Sequence, residues 1–504
     1  MGAEQTTLAR LEAVARHVTF GVERRGDTTV RGITEDSRQV RPGWLFVAIR
    51  GGNRDGHDLA VEAARRGAAA LVVQHHLGVG IPQLKVGSTR AVLGPLAAAV
   101  HGYPSRDLSL AGVTGTNGKT TVSYLLAAAC TAGGRETGLI GTVETRSRGR
   151  STPSTLTTPP AVDLQRTLVA MRRDGVDTVV MEVSSHALDQ HRVAGCRFAL
   201  SAFTNLEPEH LDYHGTIEQY YASKAELFDP SLSERAVICV DGGWGRRLAA
   251  QARLPALTFS DDGAGDVRYR ARSLGLEGLE VDVLHEGGPV RLRSRLVGLH
   301  NAPNVVCAYL AAVTLGVDPA GAARGIAGCE RPPGRFEVVD AGQPFLVAVD
   351  YAHTPHALQL TLAAARRLVT GRVLLVVGAR GGRDRYKRPD TARVAALADW
   401  TVITTDNPGD ENPALIVEQL RAGLVGLPAA NVSFEPDRGA AIAMAIAEAG
   451  AHDAVLIAGR GHETTVRFGD LVVVLDDRQA ALSNLRTAGY GGTATRRPWT
   501  AARP

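Results

Sequence analysis

A glycine-rich segment between an apolar run and an alanine-rich stretch has the composition of a phosphate-binding loop. Residues 108–113 predict a strand, residues 114–121 read Thr-Gly-Thr-Asn-Gly-Lys-Thr-Thr, and residues 122–132 predict a helix. In such a P-loop, backbone N–H groups and the helix N-terminus hold phosphate oxygens, a lysine reaches the β- and γ-phosphates, and a hydroxyl binds Mg²⁺. Lys119 and Thr120 stand at these two positions, although a valine replaces the first glycine of the strict P-loop pattern. The segment therefore predicts an ATP site.

Two further strands end in side chains that could hold a metal ion beside this loop. A buried strand ends at Glu182, and a carboxylate at that end of a parallel strand, facing a P-loop, suits Mg²⁺. Residues 199–203 predict the next strand, and the loop after it is dense in histidines and acids. Within that loop, His210 is our candidate for a metal or phosphate ligand. A helix predicted over residues 216–228 then contains Lys224.

Lysine is rare in this chain, and its positions are informative. Of 56 basic residues, only Lys85, Lys119, Lys224 and Lys387 are lysines. Because arginine replaces lysine almost everywhere, the retained lysines are candidates for chemistry that needs a primary amine. Three of the four lie in polar motifs, whereas Lys85 lies in a segment with no such pattern.

The order of elements along the chain predicts an α/β fold in three domains. At about 150 residues per domain, a chain of 504 residues has room for roughly three. Short apolar strands alternate with alanine-rich helical stretches, which is typical of parallel, doubly wound sheets. The predicted domains are 1–107, 108–334 and 335–490, and residues 491–504 predict a flexible tail because they lack periodicity.

Composition and charge exclude several classes of protein. An apolar content of 44% with 21% charged residues is incompatible with a disordered or collagen-like chain. No apolar run reaches the roughly 18 residues that a membrane-spanning helix needs, and charged side chains interrupt the N-terminal segment where a signal peptide would have its apolar core. The net charge of +4 comes without the basic block of nucleic-acid-binding proteins. We expect a cytoplasmic, monomeric enzyme that acts without a membrane or a nucleic acid.

Three ordered segments resemble the Mur ligases, which build the peptide stem of peptidoglycan. They are Gly115-Thr-Asn-Gly-Lys-Thr120, Met181-Glu-Val-Ser-Ser-His186 and His210-Leu-Asp-Tyr-His-Gly215. The resemblance extends over residues 32–478 and is greatest to the members that add the third amino acid to UDP-N-acetylmuramoyl-L-Ala-D-Glu. It implies a central P-loop ATPase domain between an α/β UDP-binding first domain and a Rossmann-like, amino-acid-binding C-terminal domain.

The resemblance also implies a role for individual residues. The residues implied in ATP binding are Gly115, Thr116, Asn117, Gly118, Lys119, Thr120, Thr121, Asn301, Arg335, Asp350 and His353. Those implied in binding the UDP-linked dipeptide are Ser37, Thr157, Thr158, Ser184, Gln190 and Arg192. Those implied in binding the incoming free amino acid are Arg388, Asp406, Asn407, Gly459 and Glu463. The implied Mg²⁺ ligands are Thr120, Glu182, His210 and Lys224, the last as a carbamate formed with CO₂.

Amide bond formation explains why cations should gather at such a site. The γ-phosphate of ATP would pass to the D-Glu carboxylate, and the incoming amine would displace the resulting acyl phosphate. Because two anions must meet, Lys119 and Mg²⁺ held by Glu182, His210 and carbamylated Lys224 would screen their charges. Loss of one such group would cost on the order of 10² to 10³ in rate.

One position departs from the family pattern and bears on which amino acid is added. Family members that add diaminopimelate read Asp-Asn-Pro-Arg, whose arginine pairs with the distal carboxylate; this chain has Gly409 there. Since glycine cannot bind a carboxylate in this way, we expect L-lysine or L-ornithine as substrate. The alternative is that the enzyme adds meso-diaminopimelate and that Arg380 supplies the missing guanidinium. A further alternative is an amide ligase of a specialised peptide pathway.

Other functions are less consistent with the sequence. A folylpolyglutamate synthetase would read Gly-Lys-Gly at 118–120 and would lack the first domain suggested by Asp36-Ser-Arg38. A glutaminase-partnered relative would have a zinc ribbon, which the scattered cysteines do not provide. A non-catalytic nucleotide- or RNA-binding module would have no need of Lys119, Glu182, His210 and Lys224 together.

Overall fold

The computed structural model describes residues 5–491 except 53, 286–287, 384 and 427–430. Within this described part, sheets of five, eleven and six strands follow one another along the chain. The α/β fold in three units that the sequence predicts is therefore confirmed. Apart from Gly491, the predicted tail lies outside the described residues.

The first unit is a small α/β sandwich. Its sheet has the order β2-β7-β6-β5-β4, parallel except for the edge strand β2. The strands are β1 (Thr6–Thr7), β2 (Glu23–Arg25), β3 (Thr29–Val30), β4 (Gly32–Thr34), β5 (Trp44–Val47), β6 (Ala70–Val73) and β7 (Gln83–Lys85). The helices are α1 (Leu8–Arg16), α2 (Ala60–Arg65) and α3 (Thr89–Val100).

The central unit is built on a long mixed sheet of order β11-β10-β9-β12-β8-β13-β14-β15-β16-β17-β18. The strands are β8 (Ser109–Thr114), β9 (Thr137–Ile140), β10 (Glu144–Ser147), β11 (Arg150–Pro153), β12 (Thr178–Glu182), β13 (Leu200–Phe203), β14 (Ala236–Cys239), β15 (Ala256–Ser260), β16 (Val267–Ser273), β17 (Leu279–His285) and β18 (Gly288–Ser294). The helices are α4 (Lys119–Ala132), α5 (Ala161–Arg173), α6 (Ser185–Asp189), α7 (Leu211–His214), α8 (Ile217–Ala225), α9 (Gly243–Gln251), α10 (Ala302–Thr314) and α11 (Pro319–Gly328).

The middle of the central sheet is parallel and buried on both faces. One face of the sheet is covered by helices α4, α10 and α11, and the other by α5, α8 and α9. Each face has one apolar cluster beneath its helices. Full burial explains why β12 and β13 read as continuous apolar runs in the sequence. The antiparallel extension β16–β18 is a feature that the sequence analysis does not predict.

The third unit is a doubly wound sheet of order β19-β20-β24-β21-β22-β23. The strands are β19 (Glu337–Val338), β20 (Leu346–Asp350), β21 (Val373–Val377), β22 (Trp400–Ile403), β23 (Val432–Phe434), β24 (Ala454–Ala458), β25 (Thr465–Phe468) and β26 (Leu471–Val474). The helices are α12 (Pro355–Arg366), α13 (Arg388–Ala395), α14 (Pro413–Ala422), α15 (Arg438–Glu448) and α16 (Asp477–Thr487). Strands β25 and β26 form a separate antiparallel hairpin.

The carboxyl ends of the parallel strands of the central and third units face each other. From the central unit come the loops after β8, β12 and β13, which are adjacent because these strands are neighbours. From the third unit come the loops after β20, β21, β22 and β24. Loops at this edge of a parallel sheet are the usual position for ligands, so the fold concentrates the polar motifs of the sequence between two units.

Candidate active site

The phosphate loop connects β8 to α4, as the sequence predicts. Gly115 has φ 147° and Gly118 has φ 88°, conformations that side-chain-bearing residues rarely adopt. A Cβ atom on Gly115 would collide with the Thr204 hydroxyl, and one on Gly118 would collide with the Asn304 amide. Both glycines are therefore required by the backbone path and by the neighbouring side chains.

The loop after β13 holds the phosphate loop in place. Thr204 Oγ1 donates to the Asn117 carbonyl at 2.6 Å, and the Asn117 N–H donates to Asn205 Oδ1 at 2.9 Å. Lys119 Nζ donates to the carbonyls of Gly115 and Thr116, both at 2.8 Å. Burial lowers the pKa of Lys119, whereas the nearby Glu182 and Glu209 carboxylates raise it. The lysine thus lies against a phosphate loop that is hydrogen-bonded to the loop after β13.

Glu182 is the last residue of β12 and lies beside Thr120, in the first turn of α4. Its Oε2 accepts a hydrogen bond from Thr120 Oγ1 at 3.1 Å and another from Thr142 Oγ1 at 2.9 Å. Its Oε1 accepts from the Thr142 N–H at 2.8 Å. A carboxylate and a hydroxyl at this separation are the hard oxygen donors that Mg²⁺ prefers, so Thr120 and Glu182 fit the predicted magnesium site.

His210 and Glu209 lie on the loop after β13. His210 adopts φ 56°, and burial together with the charges of His186, Lys119 and Lys224 lowers its pKa to about 3, against the opposing effect of Glu209. Its imidazole is therefore neutral and has a lone pair to offer. Among the described residues, however, no three His, Cys, Asp or Glu side chains converge as metal ligands. A second ion at His210 would need oxygen ligands from elsewhere.

Glu209 is a buried acid that the sequence analysis does not single out. Its Oε1 lies 3.0 Å from His353 Nε2 and 3.5 Å from Lys387 Nζ, and both of these residues belong to the third unit. Burial alone would raise the pKa of Glu209, but the hydrogen bond to His353 and the charge of Lys387 hold it well below its usual range. The ionised carboxylate thus connects the central unit to the third one.

Lys224, on α8, is only 2% exposed. Its Nζ donates to the Gly115 carbonyl at 2.9 Å and lies 4.6 Å from the centre of the Tyr220 ring. Burial, and then the charge of Lys119, lower its pKa well below the ordinary lysine value. This environment therefore favours the neutral amine over the ammonium more than water does for a solvated lysine.

Arg335 reaches from the third unit to the phosphate loop. Its Nη2 donates to Thr120 Oγ1 at 3.2 Å, and its guanidinium lies 4.7 Å from the centre of the Tyr351 ring. Its buried Nε has no hydrogen-bond partner within the described part of the chain. Such a donor is costly to leave unpaired. The guanidinium would therefore gain from an anion bound at the phosphate loop.

Three adjacent cavities that share lining residues surround these side chains. We call them the nucleotide cleft, the central chamber and the hairpin cleft, with volumes of about 590, 140 and 730 Å³. The nucleotide cleft lies between the phosphate loop and α12, and its lining includes Asn301, Arg335, Asp350, His353 and Trp244. The central chamber is lined by Lys119, Thr120, Thr157, Glu182, Ser184, Glu209, His210, Arg380 and Asp406, among others. The hairpin cleft opens between β10–β11 and β25–β26.

The residues implied in dipeptide binding divide into two groups. Thr157 and Ser184 line the central chamber. Thr158 is buried behind it, where its hydroxyl donates to the Glu182 carbonyl at 2.8 Å. Gln190 and Arg192 bond to each other, and Ser37 lies in the first unit, apart from the three cavities.

The residues implied in amino-acid binding come together with one exception. Asp406 lines the central chamber, and Asn407 and Glu463 line the hairpin cleft. Gly459, with φ 110°, leaves room for the Asp406 carboxylate, since a Cβ there would approach Asp406 Oδ2 to 2.7 Å.

Arg388 is the exception, and its predicted contact with the amino acid stays a prediction. It is 1% exposed, its guanidinium makes two hydrogen bonds of 2.8 Å to the Glu411 carboxylate and one of 2.6 Å to Gln419, and it lines none of the three cavities. Its physical role in the structure is to fix the loop before α13 against α14.

The comparisons with known proteins agree with this arrangement. Three family models match the chain: "Mur ligase family, catalytic domain" over residues 29–101, "Mur ligase middle domain" over 113–312 and "Mur ligase, glutamate ligase domain" over 334–461. A UDP-N-acetylmuramoyl-L-alanyl-D-glutamate–2,6-diaminopimelate ligase of Streptomyces coelicolor is 42% identical over 466 residues, 90% of this chain and 92% of the relative.

Solved structures are similar over most of the chain. A structure of a UDP-N-acetylmuramoyl-L-alanyl-D-glutamate–2,6-diaminopimelate ligase matches with a TM-score of 0.66 at 29% identity, covering 92% of this chain and 96% of that one. The MurF ligase of Thermotoga maritima in complex with ADP matches with a TM-score of 0.63 at 20% identity, covering 91% and 96%. The second likeness is one of fold.

The chain belongs to the Mur ligase family. It is accordingly an ATP-dependent ligase that forms an amide bond. The family resemblance drawn from the phosphate loop, the Glu182 strand and the His210 loop is confirmed. No helix among the described residues has the length and apolar character needed to cross a membrane.

Proposed function

We propose that this ligase adds meso-diaminopimelate to UDP-N-acetylmuramoyl-L-alanyl-D-glutamate in peptidoglycan synthesis. The relatives that cover nine-tenths or more of the chain are named for this reaction. They favour meso-diaminopimelate over the L-lysine or L-ornithine that Gly409 suggests. We therefore prefer the alternative of the sequence analysis, in which the enzyme adds meso-diaminopimelate. The cytoplasm is the compartment in which we expect the reaction, with the enzyme acting as a monomer.

The observation that supports this function best is the adjacency of the three cavities, which share lining residues. Arg335, Tyr351 and His353 line both the nucleotide cleft and the central chamber. Thr142, Thr157 and Arg380 line both the chamber and the hairpin cleft. A phosphate donor on one side and an amine on the other can therefore meet at a carboxylate in the chamber, as ligation through an acyl phosphate requires.

The reaction has two steps in this arrangement. The D-Glu carboxylate oxygen attacks the γ-phosphorus of ATP, a phosphorus–oxygen bond forms, and the bond to ADP breaks. The amine nitrogen then attacks the acyl carbon, a carbon–nitrogen bond forms, and inorganic phosphate leaves as the amine loses a proton. Lys119 and Arg335 stabilise the negative charge in the first step because both cations face the chamber.

Asp406 is suited to the incoming amine. It is 1% exposed, it lines the chamber, and its Oδ1 has no hydrogen-bond partner among the described residues. An unpaired buried carboxylate oxygen gains from an ammonium or amine donor. Asp406 would therefore hold and orient the nucleophile.

Mg²⁺ would be held by Thr120 and Glu182, and would neutralise charge on the transferred phosphoryl group. Its ligands are already aligned by Thr142, which donates hydrogen bonds to both oxygens of Glu182.

For a second ion, His210 would need an added carboxylate. Carbamylation of Lys224, in which the neutral amine binds CO₂ and loses a proton, would provide one. The buried amine with its lowered pKa supports this modification.

The test is product formation by the purified chain. ATP, Mg²⁺ and UDP-N-acetylmuramoyl-L-Ala-D-Glu are supplied with meso-diaminopimelate, L-lysine or L-ornithine, and the products are identified by mass spectrometry alongside phosphate release. We expect a tripeptide with meso-diaminopimelate. Product with lysine or ornithine alone would contradict the substrate assignment. Absence of product with all three would favour a specialised peptide ligase.

A further inference from the structure

The side chain of Arg467 lies beside the position that Gly409 leaves without a side chain. Arg467 lies on β25, and a Cβ atom built on Gly409 would be 3.3 Å from its Nη2. Gly409 has φ 59°, and its N–H donates to the Arg467 carbonyl at 2.9 Å. The two residues are 58 positions apart in the sequence, yet they share one point of the hairpin cleft.

The backbone of Arg467 is held by a residue already implied in amino-acid binding. Asn407 Oδ1 accepts from the Arg467 N–H at 3.1 Å. The guanidinium donates from Nη2 to Asp410 at 2.7 Å, in an ion pair whose side chains are 49% and 76% exposed. Exposed pairs of this kind contribute little, and a guanidinium has five N–H donors. Arg467 can therefore bind a carboxylate in the cleft.

The other arginines of the hairpin cleft are less suited to the far end of a ligand. Arg380 is ion-paired with Glu463, and Arg478 is held by two hydrogen bonds to Asp476. Arg380 and Arg383 also line the central chamber, where the reacting amine must lie. Arg467 lines the hairpin cleft away from the chamber.

We propose that Arg467 binds the distal carboxylate of the diamino-dicarboxylic substrate and thereby determines the selectivity of the enzyme. This inference rests on the proposed function. A ligand with an ammonium and a carboxylate at its far end would find the Glu463 carboxylate and the Arg467 guanidinium on the same cleft. Gly409 then contributes to the same selectivity, because any side chain there would compete with Arg467 for space. The guanidinium expected from Arg380 comes instead from a residue that no motif identifies.

The experiment compares Arg467→Met with Arg380→Met, at saturating ATP and UDP-linked dipeptide. Arg393→Met is the matched control, because Arg393 is an exposed arginine of the same unit, ion-paired with Asp390 and outside the three cavities. We expect Arg467→Met to raise KM for meso-diaminopimelate about 10- to 100-fold, the usual effect of losing a charged hydrogen bond, with kcat nearly unchanged. The ratio of kcat/KM for meso-diaminopimelate to that for L-lysine should fall by the same factor.

A second variant tests the shared space directly. In Arg467→Met/Gly409→Arg, a guanidinium returns to the same part of the cleft from the loop after β22. We expect KM to recover in part, since φ 59° at position 409 strains any residue other than glycine. Melting temperatures show which variants are folded, and KM values are compared only among those.

The outcomes separate the inference from the function beneath it. If the wild-type enzyme uses meso-diaminopimelate and Arg467→Met leaves its KM unchanged, the inference is overturned while the proposed function stands. If KM rises in Arg380→Met but not in Arg467→Met, Arg380 is the determinant and the inference is again overturned. If the wild-type enzyme uses L-lysine or L-ornithine but not meso-diaminopimelate, the proposed substrate fails and this inference fails with it.

Discussion

His353 Nε2 lies 3.0 Å from Glu209 Oε1, and this contact joins the central unit to the third unit beside the central chamber. Lys387 adds a cation from the third unit to the same carboxylate. The three residues therefore link the relative placement of the two units to the geometry of the chamber.

Removal of the Glu209 charge should weaken the contact between the two units. In Glu209→Gln, Lys387 loses its counter-charge and His353 loses a carboxylate partner, which favours separation of the two units. Small-angle scattering of the ligand-free protein should show a larger radius of gyration than the wild type. Ligation activity should fall because the two halves of the chamber meet less often. Glu234→Gln is the control, since Glu234 is an exposed acid paired with Arg197 within the central unit. Identical scattering profiles for Glu209→Gln and the wild type would contradict this role.

A positive charge at position 119 should not be enough for activity; the lysine side chain itself should be needed. In Lys119→Arg, the larger guanidinium cannot make the two contacts to the Gly115 and Thr116 carbonyls from the same position. We expect kcat for tripeptide formation to fall on the order of 10² to 10³-fold, as measured by coupled ADP release. Lys85→Arg, at an exposed pair with Glu23, should behave like the wild type. An active Lys119→Arg enzyme would show that any cation suffices at this position.

Activity should depend on CO₂ if Lys224 is carbamylated. Enzyme prepared and assayed in CO₂-free buffer should lose activity, and added bicarbonate should restore it. Lys224→Arg should be poorly active and insensitive to bicarbonate, because a guanidinium does not form the carbamate. With ¹³C-bicarbonate, an NMR carbamate signal should appear in the wild type and be missing in the variant. Full activity without CO₂ would refute the modification.

Arg388 and Glu411 should govern stability more than substrate affinity. Their side chains are 1% and 8% exposed, and breaking such a buried pair costs about 3–5 kcal/mol. Arg388→Met should therefore lower the melting temperature strongly, and Glu411→Gln should do so to a similar degree. If Arg388→Met instead melts like the wild type but has a higher KM for the amino acid, Arg388 contacts the substrate after all.

The same pair predicts a pH dependence. The hydrogen bond from Arg388 lowers the pKa of Glu411 from 4.5 to about 2. Because the folded-state pKa is depressed, the stabilisation is complete above pH 4.5 and is lost as the pH falls from there towards about 2. Arg388→Met should remove this part of the acid sensitivity. Thermal melts of both proteins across this pH range provide the measurement.

Much of the candidate site could be located from the sequence because its parts are local. The phosphate loop, Glu182 and the His210 loop each follow a strand directly, and adjacent parallel strands bring their carboxyl ends to one edge of a sheet. Strand–loop–helix order and a few polar residues at strand ends therefore sufficed for the ATP site and the family. The contrast with a chain that otherwise uses arginine made Lys224 a candidate, and its carbamylation stays a prediction.

The tertiary structure decided the contacts between residues that are distant in the sequence. Arg335 reaches Thr120 across 215 positions, and Glu209 meets His353 across 144. Neither pairing has a local signal, because each depends on how two separately folded sheets face each other. The same holds for Arg467, which occupies the space above Gly409 only because the β25–β26 hairpin packs there. The motif lacks an arginine at position 409, and only the fold shows that the Arg467 guanidinium lies beside that position.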